Sequence, residues 1–279
     1  MANSKSWQKI FDDYDILNHD FIASPYILTA EQIKKACQID FKFDMIFADP
    51  PYFLSNDGIS VQNGKLVSVN KGEWDRSQGY DFVNKFNYQW LKEVRNKLEE
   101  NGTIWISGTF HNIFSIAQML NELEFKMLNV VTWVKTNPPP NLACRCFTHS
   151  SEIIIWARKN KKVPHYYNYE LMKAINGGIQ MRDVWNLPAI ASWEKSCGKH
   201  PTQKPLRLLS RIILSSTQPN AWILDPFAGS STTGIAANLL NRKFLGIDSE
   251  IEFLEMSKCR RIEIDDSTIF DEYKQKIQT

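Results

Sequence analysis

ILDPFAGSSTTGIAANLLNRKFLGID, residues 223–248, holds a strand, a turn, a helix and a second strand in one stretch. The apolar run 221–227 meets Asp225-Pro226, and a proline without an N–H stops a strand there. Small residues surround Gly229, and the spacing predicts a helix over 230–240 and a strand over 243–248. A strand–turn–helix–strand unit of this kind belongs to a parallel α/β sheet. Its turn lets backbone approach a ligand, and the free N–H groups of the helix start face the same crevice. Asp248 lies 23 positions after Asp225, and an acid about 20 residues on grips ribose hydroxyls in nucleotide-binding units. The turn is neither G-x-G-x-x-G nor a P-loop, because the further glycines and the lysine are missing. A ligand with a ribose and a positive centre, such as S-adenosylmethionine (SAM), suits it better than a pyrophosphate. Taken alone, the stretch also fits an ordinary βαβ turn.

A second Asp-Pro turn changes that balance. FDMIFAD (43–49) reads as a buried strand that runs into Asp49-Pro50-Pro51-Tyr52. This rigid turn presents a carboxylate, carbonyl acceptors with few competing donors, and a ring. In a doubly wound sheet the carboxyl ends of strands meet at one crevice. Asp49 and Asp225 are then expected across one cleft, one turn holding a cofactor and the other a substrate amine.

The rest of the chain fits a single α/β domain spanning 1–279. Helices are expected over 80–102 and 113–125, and strands over 103–108, 127–135 and 151–159. Residues 53–79, rich in Gly, Asn and Ser, read as a mobile loop near the target. Residues 160–199 are polar, basic and irregular, and read as an inserted recognition segment. HPTQKP (200–205) begins a turn before an amphipathic helix ending near 217.

Composition excludes several classes. Of 279 residues, 43% are apolar and 23% charged, with no run near the ~18 apolar residues of a membrane span. The polar start of the chain has no signal core, and five cysteines without a regular framework suit a reducing cytoplasm. Net charge is only +2, yet nine Lys/Arg against three acids lie between Arg158 and Lys204. That segment suggests an acidic partner such as DNA, or a solvated basic face. Cys144, Cys146, Cys197 and His200 do not form a convincing zinc pattern, and no metal is expected. No cysteine follows a proline, which removes the nucleophile of cytosine-C5 methylation.

DPPY (49–52), then HPTQKP (200–205) and DPFAGSSTT (225–233), resemble the amino-DNA methyltransferases in the permuted order of their β class. The resemblance runs from about 15 to 262. With MIFADPPYFLS, NGTIWISG, TWVKTNPPPN and FTHSSE it leans to the GATC adenine-N6 enzymes of Dpn-type restriction–modification systems. It implies a Rossmann-like sheet, SAM as cofactor, DNA as partner, no membrane, a cognate endonuclease without a stable complex, and a possible homodimer. Asp49 and the Pro50 carbonyl are expected to accept the amine N–H groups, Pro51 to stiffen the turn, and Tyr52 to stack on the extruded base. The resemblance assigns His200, Thr202, Gln203 and Lys204 to the methionine carboxylate of SAM. It places Asp225 at the methionine moiety, Phe227 at the adenine and Asp248 at the ribose. Ala228, Gly229, Ser230, Ser231 and Thr232 form the loop, and Asp20 and Phe21 a further contact. The family pattern F-x-G-S-G-T has glycine where this chain has Ser231, a side chain added near the cofactor. Lys135, Asn137, Arg158, Lys159, Lys161, Lys162, Arg182, Lys195 and Lys199 are the candidate DNA contacts. Two rival readings are a cytosine-N4 methyltransferase and a non-catalytic nucleic-acid-binding protein.

Overall fold

The computed structural model describes residues 21–24, 42–53, 59–62, 65–68, 79–141, 144–198, 200–248 and 250–278. Its strands are β1 (Phe21–Ser24), β2 (Phe43–Ala48), β3 (Ile59–Gln62), β4 (Lys65–Ser68) and β5 (Leu98–Gly108). They continue with β6 (Lys126–Lys135), β7 (Ser151–Arg158), β8 (Val184–Leu187), β9 (Trp222–Asp225) and β10 (Lys243–Ile247). The helices are α1 (Tyr80–Lys97), α2 (Ile113–Glu122), α3 (Tyr169–Ile175), α4 (Leu206–Ser216), α5 (Thr232–Leu239), α6 (Ile251–Glu263) and α7 (Ser267–Gln278).

Eight strands form one sheet in the order β1-β10-β9-β2-β5-β7-β6-β8. All neighbours are parallel except the two pairings of β7, which runs antiparallel between β5 and β6. The expected mostly parallel α/β sheet is the one observed. β7 reverses because the described residues of 136–150 supply no helix crossover, and a parallel neighbour needs one.

Each face carries its own core. Trp90, Leu91 and Val94 of α1 and Ile113, Ile116 and Leu120 of α2 cover one face. Leu209, Ile212 and Ile213 of α4, Ile235 and Ala236 of α5, and Tyr273 and Ile277 of α7 cover the other. From β2 the chain winds through α1 to β5, and from β9 it winds through α5 to β10 in the opposite direction. The switch of direction falls between β2 and β9, which is where an open α/β sheet leaves a crevice.

Four expectations change. Helix α1 ends at Lys97, not at 102, and β5 begins at Leu98, with a register irregularity opposite Phe43 and Met45. A buried lysine, Lys159, fixes this early start by donating to the Leu98 carbonyl. Within 53–79, β3 and β4 form an antiparallel hairpin, and the remainder of the stretch beyond Phe53 lies outside the described residues apart from Gly79. Within 160–199 lie α3 and β8, and β8 pairs with β6 while Trp185 packs beside Trp105 in the core. That segment therefore contributes the edge strand β8 to the sheet. Cys197 and Cys259 are joined, whereas the irregular cysteine spacing suited a reducing cytoplasm.

Candidate active site

The carboxyl ends of β2, β9 and β10 open on a cleft of about 510 Å³. That volume lies within the usual range of small-molecule sites. Asp49 follows β2, Asp225 ends β9 and Asp248 follows β10, so all three expected acids reach one cavity. Phe47, Phe227, Ile247 and Phe253 give it apolar walls.

Asp49 has both oxygens engaged. The Tyr52 hydroxyl donates to Oδ1 at 2.6 Å, and the Lys204 ammonium donates to Oδ2 at 2.6 Å. Lys204 also donates to the Tyr52 hydroxyl at 3.0 Å. Tyr52 is only 7% exposed, so the ring expected to lie open for a base is packed down onto its own turn. Burial, then the neighbouring Asp49, pushes its phenol well above the ordinary range. Burial opposes the charge on Lys204, yet Asp49 and Glu152 outweigh it and raise its ammonium well above the usual lysine value. The turn is held from β5's side: Asn112 donates to the Pro51 carbonyl and accepts from the Thr109 N–H.

Asp225 is a different acid. It is 2% exposed, and it accepts from the Phe227 N–H at 3.0 Å and from the Thr233 hydroxyl at 2.6 Å. Burial raises its carboxyl to about 7. Its first task is therefore to close its own turn, although it lines the cleft. Asp248 accepts from the Gly229 N–H at 2.8 Å and from the Glu250 N–H at 2.9 Å, and so staples the loop to the start of α6.

Gly229 has φ +50°, and a Cβ there would lie 2.8 Å from His200 Nε2. Glycine serves the approach of the His200 ring, which leans on Phe253 with centroids 4.2 Å apart. The Thr202 N–H donates to His200 Nδ1, and Gln203 donates to the Glu194 carbonyl. His200, Thr202, Gln203 and Lys204 all line the cleft, as do Ala228, Gly229, Ser230 and Thr232.

Ser231 is a correction. It is completely buried, does not line the cleft, and has φ +53°. The left-handed region favours glycine, which gives a backbone reason for the glycine of the family pattern. Arg260, which the sequence did not single out, lies buried behind this loop and donates to the Ser230 carbonyl and hydroxyl and to the Thr232 hydroxyl. Burial lowers its guanidinium to about 10. Asp20 lies outside the described residues. Phe21 begins β1, beside β10.

Against this geometry the comparisons are decisive. The model of the N6/N4 DNA methylase family matches residues 43–259. The chain is 60% identical to the Type II methyltransferase M2.MboI of Moraxella bovis over 239 residues, covering 86% of this chain and 87% of that protein.

The chain belongs to the DNA methylase family.

The methylase is also 58% identical to M2.LlaDCHI of Lactococcus lactis subsp. cremoris over 218 residues, covering 78% and 81% of the two chains. Among solved structures, the M1.HpyAVI–SAM complex superposes with a TM-score of 0.63 at 30% identity, over 86% of this chain and 98% of that one. The cytosine-N4-specific PvuII methyltransferase superposes at 0.65 over 93% and 94%, but its 17% identity speaks for the fold alone. The cofactor of the methylase is SAM, and the cleft fits it. Asp49, Asp225, Asp248 and Glu250 surround the cavity with carboxyl groups suited to a sulfonium, and the phenylalanines offer walls for an adenine.

The basic run of the methylase is the largest correction. β7 pairs its Arg158 with Thr103, which lies level with Met45 near the start of β2, and its Ile153 with Gly108 at the end of β5. Arg158, Lys159, Lys161 and Lys162 therefore sit at the amino ends of the parallel strands, on the side away from the cleft. Lys159 is 7% exposed and bonded to Leu98 and Glu100, so it is a structural cation. Arg158 donates to the Lys161 carbonyl, which leaves exposed Lys161 and Lys162 as a solvated face. Lys135, at the cleft end of β6, is paired with Glu152. The Asn137 side chain accepts from the Ala189 N–H. Arg182 is exposed just before β8, Lys195 is half-buried in the short 3₁₀ turn Ser192–Lys195, and Lys199 lies outside the described residues. Beside Asn112, Phe110 is 52% exposed with the His111 ring 3.8 Å from it, an aromatic rim that the sequence reading passed over.

Among the described residues no helix is long and apolar enough to cross a membrane, and no three His, Cys, Asp or Glu side chains gather to hold a metal ion.

Proposed function

We propose that the methylase acts on the exocyclic N6 of adenine in a short duplex site, GATC, within a restriction–modification system of the cytoplasm. The observation that carries this reading is the Asp49 carboxylate at the cleft end of β2, beside Tyr52 and in the cavity that Asp225 and Asp248 share. When bound, SAM supplies a methyl group on a sulfonium. The chain's own residues do the rest. Among the residues that line the cleft, Phe227 and Ile247 would wall the adenosine, Asp248 would hold the ribose, and His200 and Thr202 would hold the methionine carboxylate.

An adenine amine is a poor nucleophile because its lone pair is delocalised into the ring. Asp49 and the Pro50 carbonyl accept its two N–H groups and so favour a tetrahedral nitrogen, an electrostatic and positional effect. The Tyr52 ring stacks on the extruded base once it leaves its packed position. The DPPY turn, rather than SPPY, supports adenine over cytosine-N4. The segment 160–199 contributes DNA contacts through Arg182 and Lys195, residues 53–79 lie near the target, and a nearby-encoded endonuclease recognises the same site without a stable complex. A homodimer is also part of the reading.

Nucleoside mass spectrometry of GATC duplex treated with enzyme and SAM tests this. N6-methyladenine is expected, and N4-methylcytosine as the sole product would overturn it.

A further inference from the structure

Four charged side chains from four elements form a row beside the cleft. Lys135 ends β6, Glu152 is the second residue of β7, Lys204 precedes α4, and Asp49 follows β2. The successive separations are 2.6 Å, 3.4 Å and 2.6 Å. The charges alternate plus, minus, plus, minus. The methyl-transfer argument uses Asp49 and leaves Glu152 and Lys135 without a task.

The row poses a problem for the reaction. An amine that donates to Asp49 must compete with the Lys204 ammonium for Oδ2, while Tyr52 occupies Oδ1. Lys204 is largely sealed from water at its present place, its side chain being only 7% exposed. A buried ammonium leaves one carboxylate only for another, because an unpaired buried charge is strongly unfavourable. Among the described residues, Glu152 is the other carboxylate within ion-pair distance of Lys204.

We infer that Glu152 is a positioning residue of the methyl-transfer site, which takes the Lys204 ammonium and thereby frees an oxygen of Asp49 for the target amine. The inference rests on the amino-methyltransferase reading of Asp49. Its geometry is prepared. Lys135 holds Glu152 through Oε1, so that Oε2 faces Lys204, and the Ser107 hydroxyl donates to that same oxygen at 3.3 Å. Burial pushes the Glu152 carboxyl up, but Lys204 and Lys135 outweigh burial and hold it at about 2. It is therefore an anion whenever Lys204 needs it. A shift of less than an ångström shortens the Lys204–Glu152 pair to the length of the other two. Lys135 balances Glu152 throughout, so the exchange adds no net charge to the site.

The test uses the full chain, a GATC duplex and SAM, with calorimetry for SAM binding. In Glu152→Gln, Lys204 stays on Asp49. Turnover at saturating SAM should fall about 10- to 100-fold, while KM and Kd for SAM stay within about twofold. Adding Lys204→Met to Glu152→Gln removes the competing ammonium, and kcat should rise above that of Glu152→Gln alone. Wild-type kcat in Glu152→Gln would overturn the inference, as would a double variant slower than the single one. The variant Lys135→Met/Glu152→Gln removes one charge of each sign and guards against misfolding. It should show the same kcat defect with SAM affinity kept, and full activity would refute the role of Glu152. The base reading fails separately, through the product made by the unsubstituted chain. N4-methylcytosine would replace adenine as target and leave these kcat comparisons standing, because a cytosine amine needs the same acceptor.

Discussion

Two Asp-Pro turns end neighbouring strands of one sheet, and they have been put to opposite uses. Asp49, after β2, bonds to two side chains that can leave it, a tyrosine hydroxyl and a lysine ammonium. Asp225, at the end of β9, bonds to a backbone N–H two residues on and to a threonine eight residues on, both inside its own strand–helix unit. The same dipeptide thus gives an exchangeable acceptor in one place and a fixed staple in the other. The difference lies in the residues that follow. Pro51 withholds an N–H from Asp49, whereas Phe227 and Thr233 offer donors to Asp225.

The strongest way to break this comparison is at Asp49. Asp49→Ala should lower turnover by at least about 10²–10³-fold, because one preorganised polar contact at a reacting centre is worth that much. Calorimetric SAM affinity should change little, and an active variant would refute the acceptor role. Asp225 should instead answer to pH. Its carboxyl is held at about 7 in the native state, above its ordinary 3.8. The native state therefore holds that proton more tightly than the unfolded chain does. This contribution to stability is complete below about pH 4 and is lost as pH rises through 7. Thermal melts of wild type should fall relative to Asp225→Asn between pH 5 and 8, by up to about 3 kcal/mol. Parallel pH curves would show that Asp225 is ionised throughout.

Two smaller substitutions sharpen the contrast. Asp248→Ala removes an acceptor facing the ribose and unpins the Gly229 N–H, so SAM binding should weaken by about 1.5–3 kcal/mol in calorimetry. Unchanged affinity would confine Asp248 to the loop. Ser231→Gly relieves a left-handed backbone and a buried hydroxyl without a hydrogen-bond partner among the described residues. It should stabilise the fold by about 1 kcal/mol in denaturant titrations, with SAM affinity unaltered.

The sheet was legible wherever an apolar run stopped at a polar turn, as at Asp49, Gly108, Asp225 and Asp248. Strand direction was not legible. No residue within SEIIIWARK states that β7 runs backwards, and that reversal carries the basic run to the far side of the sheet. β8 escaped notice because only Trp185 and Leu187 of its four residues face the core. The cleft acids were readable from their place after strands. The partnership of Lys204 with Asp49 was not, because it spans 155 positions and arises only when α4 packs beside β2. Glu152 had a faint signal, as an acid opening an otherwise apolar strand.

The Cys197–Cys259 bond divides the cleft in another sense. The two residues are 62 positions apart, and the closed ring of chain between them contains His200, Asp225, Gly229 and Asp248 but not Asp49. While the bond is intact, the unfolded chain keeps the cofactor half as a loop, a constraint on the order of 4 kcal/mol in the chain-entropy picture. β2 has to find β9 from outside that ring, across 178 positions, with Ile46 opposite Leu224. The seam on which catalysis depends is therefore an entropically demanding long-range contact, while the surface that grips the cofactor is assembled largely from neighbours along the chain.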